Sequence, residues 1–157
     1  GGGMSSRLFI KMRDELGICY YIKASHNPFT DHGDLTISAG VDNGRVETAI
    51  REILAACARL KNQPVGAAEL KKAKDYIAGT TMLELETSEA RAEFAGGDEI
   101  LKGSIESPEE HIRKVNAVTA ADVVKLAREI FVDKGLNLAL IGRMKAEALL
   151  PSFKFSE

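Results

Sequence analysis

At Gly17 the hydrophobic pattern of this chain changes period from that of a helix to that of a strand, so the backbone has to turn one tight corner. Upstream, Leu8, Phe9, Met12 and Leu16 recur at helical spacing and make one apolar face. Downstream, Cys19 to Ala24 (CYYIKA) is rich in β-branched and aromatic residues. Alternation puts Tyr20, Ile22 and Ala24 on one side and Cys19, Tyr21 and Lys23 on the other, which predicts a strand. Gly17 ends the helix. Arg13 and Tyr20 then fall on either side of the corner and are expected to converge there.

The rest of the pattern predicts an α+β fold: an antiparallel or mixed sheet with helices packed on one face and a strongly helical second half. Asp34 to Val41 alternates Leu35, Ile37, Ala39 and Val41 against polar neighbours, a half-buried strand expected to pair with Tyr20 to Ser25 across the turn-rich NPFTDHG link. From Arg45 to Lys61 the positions Val46, Ile50, Ile53, Leu54, Cys57 and Leu60 form an apolar stripe suited to covering that sheet. A helix over 67–85 is expected to turn Leu70, Ala73 and Ile77 inward. Another is expected to start at a Ser88 cap and run to Lys102. Ser107, Pro108, Glu109 and Glu110 read as cap, first-turn proline and early acidic residues of a short helix through Val115. Thr119 caps 120–131, where Val123, Ala127 and Ile130 share a face, and Leu136 to Ile141 reads as a final apolar strand. Beyond Arg143, Leu149, Leu150, Phe153 and Phe155 either dock on a neighbour or fray.

The 157 residues suffice for one core burying about two-thirds of the unfolded surface, and one domain is the simplest count. The net charge of −2 is spread over intermixed signs, with no basic stripe interleaved with aromatics, so no nucleic acid or anionic membrane is expected as a partner. No apolar run approaches the roughly 20 residues that cross a bilayer. Cys19, in a predicted strand, and Cys57, on an apolar helix stripe, read as buried free thiols rather than a disulfide, which leans toward a reducing compartment such as the cytoplasm. Localisation is otherwise open.

Three histidines, His26, His32 and His111, are too scattered for a metal site, and none is assigned. Glu110-His111 approaches an inverted His-x-x-Glu-His zinc motif but has Ser107 where the first histidine belongs. On the residues alone, Arg13 pairs with Asp14, Glu15 or solvent, and Tyr20 packs in a sheet.

Gly1 to Ser6, Arg7-Leu8-Phe9, Met12-Arg13-Asp14-Glu15 and Gly17 to Tyr20 together resemble the pattern GGGxSSRLFxxLRExxGLAYxV of pitrilysin- and insulinase-like zinc metallopeptidases, including the mitochondrial processing peptidases, in the half that does not hold the metal. The spacing from Arg13 to Tyr20 is kept. SAGVDNGRVETAIREIL, ELKKAKDYIAG, SEARAEFAGGDEILKG, SPEEHIRKVNAVTAADVVKLAREIF and LNLALIG follow in family order, so the resemblance covers roughly 1–142, with 143–157 left as a tail.

The resemblance implies the later part of a noncatalytic metallopeptidase-homology domain. Arg13 and Tyr20 become candidates to contact a peptide or protein substrate, and no catalytic residue is expected in the chain. Tyr21 is the competing phenol, set aside because the spacing from Arg13 favours Tyr20. Zinc is expected on another domain or subunit of the same family, with no cofactor here, so the chain alone is expected to be inactive. The alternative implied is a non-enzymatic structural subunit resembling the respiratory-complex core proteins. Three glycines ahead of Met4, directly at a helix entrance, predict a piece of a longer domain whose missing strands would leave edges open to self-association. The glycines themselves read as backbone freedom at that entrance rather than as a substrate loop.

Overall fold

The computed structural model describes residues 3–143, 149 and 153–155. Gly1, Gly2 and Leu150 lie outside the described residues. The chain forms two compact units, one of residues 1–63 and 126–157 and one of residues 64–125. The fold class is α+β, and the described strands are antiparallel.

The first unit opens with Ser6, whose hydroxyl accepts the Phe9 N–H at 3.3 Å and starts α1 (Arg7–Phe9). Instead of one uniform helix, α1 widens into a π-helical segment (Ile10–Glu15), closed by Leu16 N–H donating to the Lys11 carbonyl at 3.1 Å. The wider turn accompanies complete burial of Met12, which packs with Ile18, Cys19, Ile22 and Ala49. Gly17 ends the segment at φ +58°, and Ile18 N–H reaches back across it to the Met12 carbonyl at 2.9 Å.

β1 (Cys19–Pro28) and β2 (Gly33–Val41) form an antiparallel hairpin. Its register corrects the expected alternation. Cys19 faces Val41 and Tyr21 faces Gly40, so Tyr20 is an extra residue in a β-bulge. Both Cys19 and Ile22 consequently turn into the core, while Tyr20 and Tyr21 are both exposed. Two buried positions three apart cannot share one face of a regular strand, and the bulge resolves the conflict.

Through a short 3₁₀ turn (Asn43–Arg45) the chain enters α2 (Val46–Asn62), which covers the hairpin. Its Val46, Ile50, Leu54 and Cys57 form one apolar cluster with Leu149 and Phe155, so these two late residues are buried within the chain's own first unit. α6 spans Ala120–Ile130, and within the first unit Arg128 Nε donates to the Lys61 carbonyl at 2.9 Å. The helix ends at Ile130, one residue short of the expected end. Ala127 is buried, whereas Ile130 is exposed.

The strand expected over 136–141 is absent. That run is extended or irregular and has no ladder partner among the described residues, because the described sheet stops at β1 and β2. A groove of about 730 Å³, lined by Leu35, Ile37, Ile50, Leu136, Leu138 and Phe153 among others, lies beside β2 in this unit.

The second unit holds α3 (Ala67–Glu84), α4 (Ser88–Lys102) and α5 (Pro108–Ala117). α3 departs from expectation: it buries no residue, and Ala73 and Ile77, although at helical spacing from Leu70, are exposed. The cap of α4 is Thr87 rather than Ser88, with the Thr87 hydroxyl accepting the Ala90 N–H at 3.1 Å. Ser107 caps α5, and Thr119 and Asp122 cap the start of α6 reciprocally, at 3.2 and 2.8 Å. Near the end of α4, buried Asp98 pairs with Lys102 Nζ at 2.6 Å and accepts the N–H of Glu106, in the link to α5, at 3.1 Å. Glu106 Oε1 lies 3.0 Å from Lys114 Nζ.

Candidate functional site

Arg13 and Tyr20 meet at the corner, but through the backbone of one and the side chain of the other. Arg13 Nη1 donates to the Tyr20 carbonyl at 3.2 Å. A bulge leaves its extra residue outside the ladder, and a guanidinium with five donors can satisfy the released carbonyl while keeping others for a ligand. The same guanidinium lies over the Phe9 ring, 5.1 Å from its centroid, a cation–π contact from the helical side. Glu15, a residue that sequence alone offered as a partner for Arg13, pairs instead with Lys11 at 2.9 Å.

Both phenols at the corner are accessible, Tyr20 at 78% and Tyr21 at 57% exposure. They differ in support. The Tyr21 ring lies against Gly40 of β2, so close that a Cβ there would sit 2.6 Å from Tyr21 Cε1. Tyr20 is tied by its carbonyl to Arg13. Sequence reading missed the parts played by Phe9 and Gly40. The sequence carries no direct signal for either, since the bulge that brings them into play follows from the joint burial of Cys19 and Ile22.

No nucleophile is prepared nearby. Burial pushes the Cys19 thiol up, opposed by the Arg13 cation, and burial alone pushes Cys57 up to about 11, so both remain protonated at neutral pH. His32 Nδ1 lies 2.6 Å from Asp31 Oδ1 and its ring stacks on Phe29 at 4.5 Å, a hairpin-tip contact. His111 meets Phe94 edge-on at 6.4 Å, and Glu110 pairs with Arg113 at 3.1 Å. Among the described residues no group of His, Cys, Asp and Glu is arranged to hold a metal ion, and no helix is long and apolar enough to cross a membrane. The corner therefore offers hydrogen-bond donors and an aromatic surface, the equipment of a binding site for carbonyls or carboxylates.

Residues 1–77, which contain this corner, match the family described as the Peptidase M16 inactive domain. A Bacillus subtilis (strain 168) protein named uncharacterized zinc protease YmxG is 34% identical over 141 residues, covering 90% of this chain and 34% of the relative. Among solved structures, a protease from Helicobacter pylori superposes with a TM-score of 0.71 at 24% identity, over 82% of this chain and 31% of that one. A chain of Complex III2 from Candida albicans superposes with a TM-score of 0.73 at 22% identity, again over 82% and 31%. At these identities the two structures establish the fold alone. The chain spans about a third of the length of the curated relatives it matches.

Proposed function

Since the chain belongs to the pitrilysin-like M16 peptidase family, in its inactive C-terminal domain, we propose that it is the substrate-contacting, noncatalytic half of a zinc-dependent metalloendopeptidase. In this reading Arg13 and Tyr20 hold a peptide while its bond is hydrolysed at a zinc site on another domain or subunit. The observation that carries the reading is the corner itself: a guanidinium anchored to the backbone carbonyl of Tyr20, a residue whose phenol is exposed. The N–H groups of Arg13 beyond that bond suit peptide carbonyls or a carboxylate. The phenol can donate one hydrogen bond to a carbonyl or to a developing oxyanion. In this reading the zinc is held by the other half, and no step of hydrolysis is assigned to residues of this chain.

The partners are a peptide or protein substrate and a zinc-binding domain or subunit of the same family. Residues 1–142 form the later part of a homology domain in this reading, and the β2 edge and the 136–141 run both lack ladder partners among the described residues.

The test is kinetic. In the complete polypeptide, Arg13→Ala and Tyr20→Phe are each expected to lower kcat/KM for a peptide by about tenfold, the worth of one hydrogen bond of roughly 1–1.5 kcal/mol. Unchanged kcat/KM in both variants contradicts the reading. A weaker alternative is a non-enzymatic structural subunit that only scaffolds an assembly. A His-x-x-Glu-His motif in the complete polypeptide or in its partner chain separates the two readings.

A further inference from the structure

We infer that Gly40 and Tyr21 are positioning residues that fix the bulge and thereby hold Tyr20 against Arg13; the inference rests on the reading of Arg13 and Tyr20 as peptide contacts. The bulge is bounded by two pairs, Cys19 with Val41 and Tyr21 with Gly40. At the second pair the Tyr21 ring occupies the place a residue-40 side chain would take: a Cβ built on Gly40 falls 2.6 Å from Cε1 and 3.0 Å from Cδ1. Non-bonded carbons do not approach that closely, so the ring lies on β2 only because residue 40 is glycine.

The neighbours of Gly40 make this a register lock. A slip of one residue would set Tyr21 against Ala39 or Val41, both of which carry a Cβ and point into the apolar cluster beneath the hairpin. Only the observed pairing places the ring over a bare backbone. With Tyr21 held there and Cys19 and Ile22 both drawn into the core, Tyr20 is left as the unpaired residue and its carbonyl comes within reach of Arg13 Nη1. Phe9 completes the arrangement from the other side of the guanidinium. An exposed aromatic that looks dispensable in Tyr21 thus supports the geometry of its neighbour.

The experiment is carbonyl and side-chain NMR on the labelled chain, with Arg13→Ala as the reference for a released Tyr20 carbonyl. Gly40→Ala and Tyr21→Ala are each expected to move the Tyr20 carbonyl carbon to its position in Arg13→Ala, whereas Tyr21→Phe, which keeps the ring, leaves it at the wild-type position. Adding Gly40→Ala to Tyr21→Ala produces no further change, since there is no ring left to displace. A Tyr20 carbonyl that stays at its wild-type position in Gly40→Ala, or a Gly40→Ala effect of equal size with and without the Tyr21 ring, overturns the inference. If Gly40→Ala alone does not fold, the double variant is expected to fold, and its failure also overturns it. Carbonyl shifts report positioning, while turnover of Arg13→Ala and Tyr20→Phe in the complete polypeptide reports peptide contact, so either proposal can fail without the other.

Discussion

Met12→Ala is the most direct probe of how the corner is built. Met12 is 0% exposed, lies in the π-helical segment immediately before Arg13, and packs on Ile18, Cys19, Ile22 and Ala49. The substitution removes Cγ, Sδ and Cε. At ~0.8 kcal/mol per buried methylene-sized group the transfer loss is ~2.5 kcal/mol, and incomplete collapse of the space adds to it, giving ~3–4 kcal/mol within the usual range of ~2–5. That is more than two decades in the folded-to-unfolded ratio and a large fraction of a typical domain stability of ~5–15 kcal/mol. Met12→Leu nearly conserves volume and is expected to cost less than ~1.5 kcal/mol. Urea unfolding followed by circular dichroism measures both. A loss below ~1 kcal/mol for Met12→Ala, or equal losses for the two variants, would refute the claim that the helix–strand corner is pinned through this side chain.

Gly17→Ala is expected to destabilise by about 1–2 kcal/mol in the same assay, because φ +58° disfavours any Cβ while nothing lies within 4 Å to clash with it; Gly17→Asn should lose less. Asp98 titrates low because Lys102 hydrogen-bonds its carboxylate. A depressed folded value means that its stabilisation is present above the ordinary carboxylate range and lost as pH falls through the folded value, so Asp98→Asn should flatten the acid-unfolding curve below about pH 4. An unchanged slope would remove Asp98 from the acid response. Cys57 carries the opposite sign: a thiol raised to about 11 by burial stabilises below its ordinary value near 9 and weakens the fold as pH rises from there toward 11. Thiol labelling of the native chain at pH 8 should accordingly be slow at Cys57 and fast after denaturation.

Much of the architecture was legible because local signals and burial agree. The stop at Gly17, the Ser107 and Thr119 caps, the hairpin between two alternating runs and the apolar stripe from Val46 to Cys57 are each specified by nearby residues. Three features were not legible, each for its own reason. The bulge at Tyr20 follows from joint burial of Cys19 and Ile22 beneath α2, a tertiary demand that strict alternation cannot express. The 136–141 run has strand composition, yet composition alone does not pair a strand, and among the described residues the run joins neither free edge of the β1–β2 hairpin. Ala73 and Ile77 of α3 fit a helical period but remain exposed, since period alone does not say whether anything covers the face. At the corner, the spacing brought Arg13 and Tyr20 to one place, while the carbonyl that joins them and the roles of Phe9 and Gly40 became visible only in three dimensions.

The most direct test of the central claim is peptide hydrolysis in the presence of zinc, comparing this chain alone with the complete polypeptide or its zinc-bearing partner at matched concentrations. The account predicts turnover only in the complete assembly. Zinc-dependent turnover by the purified chain alone would contradict it.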